Sequence, residues 1–141
     1  MKEVGHHLID HTADFGLELW APAPERLFRY AGQVLFQLVA DSRGRLTGRH
    51  KRSLSVEGED WADLMVNWLR ELLFLWNGQG EIAADIVLES LAATHLRATL
   101  TTDDFNPEFH LALHEIKAVT YHQIQVGPCA KGWCARVIFD V

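Results

Sequence analysis

Apolar and polar residues alternate between Phe15 and Ala21, with Phe15, Leu17, Leu19 and Ala21 on one side and Gly16, Glu18 and Trp20 on the other. A period of two predicts a strand with one face in the core. Asp14 stands at the start of this strand, on the face opposite Leu17. Pro22 and Pro24 end the strand and open a helix, since proline is tolerated in a first turn and Glu25 suits the positive end of the helix dipole. The period then changes. Leu27, Tyr30, Ala31, Val34, Leu35 and Leu38 recur at three- and four-residue intervals, predicting an amphipathic helix from Pro24 to about Ala40. Asp41-Ser-Arg-Gly44 stops it.

Further on, Ser53 to Glu57 reads as a short strand with Leu54 and Val56 turned inward. Gly58-Glu59-Asp60 supplies a turn with acidic residues at a helix start. In the second helix Trp61, Leu64, Met65, Trp68, Leu69, Leu72, Leu73 and Trp76 form an apolar face, and Asn77-Gly78 closes it. Its tryptophans are read as core. Glu81 to Glu89 and Thr94 to Thr101 are predicted strands joined by a hairpin at Ser90 to Ala93, followed by a turn-rich loop at 102–107. Ile116, Ala118, Ile124 and Val126 then share one face of an extended segment, with Thr120 and His122 in the same row. Polar side chains in such a row need hydrogen-bond partners or a task. The last predicted strand, Trp133 to Val141, is apolar at Val137, Ile138 and Phe139 and then places Asp140 beside the carboxylate on Val141. The sum is an α+β fold in a single domain, 1–141, with two amphipathic helices packed on a mainly antiparallel β-sheet.

Composition narrows the function. With 141 residues and 48% hydrophobic content the chain can build one substantial core. A net charge of −6 argues against stable nucleic-acid binding through phosphates, and leaves room for a basic protein surface or a cation. Arg43, Arg45, Arg49, Lys51 and Arg52 form one basic patch, read first as a solvated loop and strand edge, and otherwise as a docking surface for an anion. The polar start Met1-Lys-Glu-Val-Gly-His and the lack of a membrane-spanning apolar run predict a cytoplasmic protein with no membrane contact. In that reducing setting Cys129 and Cys134 are expected as free thiols, with a small loop-closing disulfide as the minor alternative.

No Walker A loop, G-x-G-x-x-G or G-x-S-x-G elbow is present. What remains is a set of carboxylates and histidines at strand ends. Asp10, His11 and Asp14 lie near the start, with Asp140 and the terminal carboxylate at the other end. If the two strands are neighbours, Asp14 and Asp140 converge on a cation, and oxygen ligands suit a hard ion such as calcium or magnesium better than zinc. Local capping or salt bridging of these aspartates is the bland reading, and a zinc site from His6, His7 and His11 is the weaker alternative.

Five blocks carry a resemblance. They are His11-Thr-Ala-Asp-Phe-Gly16, Leu35-Phe-Gln-Leu-Val-Ala-Asp41, Trp68-Leu-Arg-Glu-Leu-Leu-Phe74, Glu115-Ile-Lys-Ala-Val-Thr-Tyr-His122 and Val137-Ile-Phe-Asp140. In this order and spacing the chain resembles the archease family. The resemblance implies a non-enzymatic accessory factor that assists an RtcB-type RNA ligase in tRNA splicing and RNA repair, promoting formation of its guanylate intermediate and its turnover. It also implies a divalent cation, calcium in the family with magnesium or manganese as substitutes, held by Asp14, Asp140 and Val141. His11, Asp41, Lys117 and His122 are expected contacts to partner or nucleotide. Phe15, where an aliphatic residue is common, and Leu111-Ala-Leu-His114 depart from the family pattern without touching the implied ligands. Two other readings compete: a chaperone-like modulator of RNA-processing enzymes, and a small metal-dependent hydrolase using Asp14, His11 and Asp140.

Overall fold

The computed structural model describes residues 3–10 and 14–141. In chain order the elements are β1 (Gly5–Asp10), β2 (Asp14–Ala21), α1 (Pro24–Val39), β3 (Ala40–Asp41), β4 (His50–Glu57), α2 (Trp61–Asn77), β5 (Glu81–Ala92), β6 (His95–Asp104), β7 (Leu111–Ala112), β8 (Ala118–Cys129) and β9 (Gly132–Asp140). The class is α+β, and every strand pairing among the described residues is antiparallel. The strands do not form one sheet. They divide into a four-stranded sheet, β1-β2-β9-β8, a three-stranded sheet, β4-β6-β5, and the small pair β3-β7.

Both helices touch both larger sheets: α1 packs on β2, β9 and β5, and α2 on β8, β4, β5 and β6. That position explains why α2 buries more than the predicted stripe, adding Val66 and Leu75 to Leu64, Met65, Trp68, Leu69, Leu72 and Leu73. Trp68 is fully buried, and its indole N–H donates to the Phe28 carbonyl at 2.9 Å, so the tryptophan joins the two helices. Gly32 of α1 lets this crossing close: a Cβ there would sit 2.9 Å from Leu72 Cδ1 and 3.0 Å from Ile86 Cδ1.

Four expectations change. First, Gly5–Asp10 is a strand, although Leu8 and Ile9 are adjacent and hide the period of two; it is an edge strand, read from pairing with β2 rather than from pattern. Second, the β5–β6 turn is Ala93-Thr94 alone, and β6 continues through Asp104 into the stretch expected as loop. Thr102 and Asp103 are buried polar residues there, held by hydrogen bonds that a hydropathy pattern does not register. Third, the single apolar row expected in β8 is broken. Between the pairs Thr120↔Ile138 and Gln125↔Arg136, residues Tyr121, His122, Gln123 and Ile124 face Val137 alone, and Gln123 has φ 53°. The extra residues invert the phase, so Val119 and not Ala118 faces the core opposite Phe139, while Val126 faces Ala135. His122 is exposed and leaves the row.

Fourth, Cys129 and Cys134 form a disulfide, with Cα atoms 5.9 Å apart. The compartment argument for free thiols gives way to local geometry: β8 and β9 form a hairpin in which Gly127 pairs with Cys134 and Cys129 with Gly132. Among the described residues no helix is long and apolar enough to cross a membrane.

Candidate functional site

The register of β2 on β9 is set by two inward apolar rows, Leu17 and Leu19 against Val137 and Ala135, because a slip of one residue would turn every core side chain outward. That same register places Asp14 directly opposite Asp140. Both belong to the outer face, in line with the Gly16↔Ile138 pair, while Phe15↔Phe139 turns inward. On the far side of β9, Ala118 pairs with Asp140, and the Lys117 N–H donates to the Asp140 carbonyl at 2.7 Å. Val141 follows and is exposed. Asp14 is half-buried and Asp140 exposed, so the pair forms an open end of the sheet reached by water.

The residues around this end arrive along one segment. Asp41 pairs with Leu111 in β3–β7, and the Leu113 and His114 N–H groups donate to the Val39 and Leu38 carbonyls. The His114 ring then stacks on Phe15 at 4.9 Å between centroids, Ile116 enters the core, and Lys117 reaches Asp140. Asp41 is exposed and accepts from its own turn at the Arg43 N–H, so it caps that turn. His122 lies on the irregular part of β8, with its N–H 3.3 Å from Thr120 Oγ1. The Thr120 hydroxyl itself donates to the Ile138 carbonyl, which answers its place on the sheet. His11 lies outside the described residues.

A groove of about 300 Å³ adjoins this end, lined by Arg70, Leu73, Phe74, Asn77, Lys117 and Val119 among others. Arg70 donates to the Val119 carbonyl and lies over the Tyr121 ring, and Asn77 donates to the Ile116 carbonyl. Sequence reasoning missed Arg70, Phe74 and Asn77. The available signal was Phe74, a large aromatic off the buried stripe of α2 and 55% exposed.

Two oxygen-bearing side chains on adjacent strands fit a hard cation that keeps part of its water shell. Like charges directly opposite one another disfavour strand pairing, and an ion between them reverses that sign. Among the described residues no group of three or more His, Cys, Asp or Glu side chains is placed to hold a metal, so the described protein ligands number fewer than a closed structural site requires. The histidine-led alternative weakens on geometry: His6 Nδ1 is hydrogen-bonded to the Tyr30 hydroxyl at 2.7 Å, and His7 meets Glu18 at 3.2 Å. The basic patch is partly absorbed locally: the Arg52 guanidinium pairs with the buried Glu81 and that of Arg45 lies over the Phe109 ring.

A profile of the archease protein family (MTH1598/TM1083) matches residues 6–141. The chain is 28% identical to the protein archease of Methanosarcina acetivorans, over 96% of this chain and 95% of that protein. It is 29% identical to that of Pyrococcus furiosus, over the full length of both. Among solved structures it resembles protein 1598 of Methanobacterium thermoautotrophicum, at 27% identity and a TM-score of 0.77, covering 97% of this chain and 99% of that one. An archease of Thermotoga maritima, described as a possible chaperone, shares the fold at 18% identity and a TM-score of 0.63, with 94% of each chain covered. A family match running from the first strand to the last residue, on a fold that aligns over nearly its whole length, places the chain in the archease family.

Proposed function

We propose that this chain is an accessory factor for an RtcB-type RNA ligase in tRNA splicing and RNA repair, promoting guanylylation and turnover of the ligase, and that Asp14 and Asp140, with Val141, hold a divalent cation. Membership of the archease family supports the accessory role, and the observation that carries the cation reading is the direct opposition of Asp14 and Asp140 across β2 and β9. Guanylylation needs a nucleophile, a nucleotide and metal ions arranged together, and positioning alone accounts for a large share of such barriers. A bound calcium, magnesium or manganese ion would supply positive charge at the open end of the sheet. The side chains do the rest: Asp14 and Asp140 hold the ion, Lys117 beside them offers a cation to an anionic group, and Asp41 and His122 are contacts to the ligase.

The test is guanylylation of the RtcB-type ligase from the same source, with the native chain, with Asp14→Ala and with Asp140→Ala. The native chain is expected to accelerate the step, and the folded variants to lose about tenfold or more of that effect, the range typical when groups that orient a metal are removed. No acceleration by the native chain would sink the ligase reading. Full acceleration by both variants would sink the cation reading and leave docking as the cause.

A further inference from the structure

Strands β8 and β9 are zipped in two separate stretches. The inner one, Ala118↔Asp140 to Thr120↔Ile138, is anchored by the buried Val119, by Arg70 on the Val119 carbonyl and by the Thr120 hydroxyl on the Ile138 carbonyl. The outer one, Gln125↔Arg136 to Cys129↔Gly132, begins only after the irregular residues 121–124. It carries the half-buried Val126 and ends in the Cys129–Cys134 disulfide. The two partners are held unequally. β9 is an inner strand, fixed on its other side by β2 as far as Ala21↔Trp133, and its first residue Gly132 packs close to the Ala21 carbonyl. β8 is an edge strand. Neither cysteine is fully buried, and both line a surface groove of about 670 Å³ that also takes in Trp20, Val126, Lys131 and Arg136.

The outer ladder is held less firmly than the inner one: β8 is the edge strand there, and its apolar side chain Val126 is only half-buried against the core, so backbone pairing and the cross-link carry more of the closure. The cross-link therefore decides whether the outer arm stays closed, by disfavouring its open states. We propose that Cys129–Cys134 is a reversible thiol–disulfide modification site for a dithiol reductant, and that its reduction releases the outer arm of β8, residues 125–129, while the Asp14–Asp140 end stays paired. A reductant thiolate attacks Sγ of Cys129, at the end of the edge strand. The S–S bond breaks, Cys134 leaves as a thiolate, and a mixed disulfide forms on Cys129. The second thiolate of the reductant then attacks its own sulfur in that mixed disulfide, releases Cys129 and closes the disulfide of the reductant. Two electrons pass to the protein, and each cysteine thiolate takes up a proton.

The experiment is backbone hydrogen exchange of the native chain, oxidised and after dithiothreitol, with alkylation to count free thiols and circular dichroism to check the fold. Cys129→Ser/Cys134→Ser serves as the permanently open form without reductant. Reduction is expected to free two thiols without denaturant and to speed exchange across 125–129 by about tenfold or more, with residues 14–19 and 137–140 unchanged. The double variant should match the reduced protein, and reoxidation should restore slow exchange. A bond that resists dithiothreitol until the protein is denatured overturns the proposal. So does a reduced protein whose outer arm exchanges at the oxidised rate, or one that loses protection throughout.

Discussion

At the scale of single residues, two buried carboxylates are held by several hydrogen bonds each. Glu81 is only 3% exposed and accepts from Arg52 Nε at 3.0 Å, from the second Arg52 nitrogen at 2.6 Å and from the Thr102 hydroxyl at 2.5 Å. The Arg52 guanidinium holds its carboxyl below the ordinary range, against the upward push of burial. For Asp103 burial pushes up, but the Gly48, Thr47 and Arg49 N–H groups and the Thr47 hydroxyl together bring it below the usual value. A carboxyl depressed in the folded state stabilises fully above its unfolded value, about 4, and that stability is lost as pH falls through the lower folded value. The native chain is therefore expected to lose stability steeply below about pH 4. Glu81→Gln should be weaker by about 2 kcal/mol at pH 7, from the lost charged hydrogen bonds, and should show a flatter acid limb. Urea midpoints at several pH values measure both. Parallel acid limbs in the two proteins would show that Glu81 is not a source of the pH dependence.

At the scale of elements, α2 is fixed at its start by a reciprocal cap. The Asp60 side chain accepts from the Asp63 N–H at 2.8 Å, and Asp63 Oδ2 accepts from the Glu59 N–H at 2.8 Å. The other Asp63 oxygen accepts from the Tyr121 hydroxyl at 2.6 Å, the main cause that lowers the Asp63 carboxyl, so the cap also ties the helix to β8. Asp60→Ala is expected to cost about 1 kcal/mol in a denaturant midpoint, the usual value of an N-cap, and an unchanged midpoint would refute the role. The Gly58-Glu59-Asp60 signal and the apolar stripes made both helices legible in sequence, because capping and periodicity are local. β2 and most of β4, β5, β6 and β9 are legible for the same reason, although β4 begins three residues earlier, at His50, than its apolar alternation shows. β1 was not, since an edge strand with adjacent Leu8 and Ile9 is defined by its partner. The break in β8 was hidden too: nothing in Thr120–Gln125 announces that Gln123 takes a left-handed conformation and shifts the register. The disulfide is not legible either: a reducing compartment favours free thiols, and spacing alone does not fix the β8–β9 hairpin that brings Cys129 to Cys134.

At the scale of the whole molecule, the start of β2 and the end of β9 meet at one point. Asp14 and Asp140 are 126 positions apart in sequence, and chemistry alone could name them only on condition that their strands were neighbours; the packing of Leu17 and Leu19 against Val137 and Ala135 supplies that condition. Lys117 joins them through the backbone of the segment that leads from Asp41. An ion bound there would link β2 to β9 and so act on global stability, with a sign that depends on the solution. Without divalent cation, Asp140→Asn removes a like-charge opposition and should leave stability unchanged or raise it by about 0.5 kcal/mol. With calcium at about 100 times its dissociation constant, a ligand that binds only the folded state stabilises it by about 2.7 kcal/mol, a rise in Tm on the order of 10 °C for a domain of this size. The native chain should show that rise and Asp140→Asn a small fraction of it, so that the order of stability of the two proteins reverses on adding calcium. Thermal melts of both proteins with chelator and with a calcium series read the crossing directly. Equal calcium shifts in the two would place any bound ion away from Asp140, and no shift in either would remove calcium as the ion at this end of the sheet.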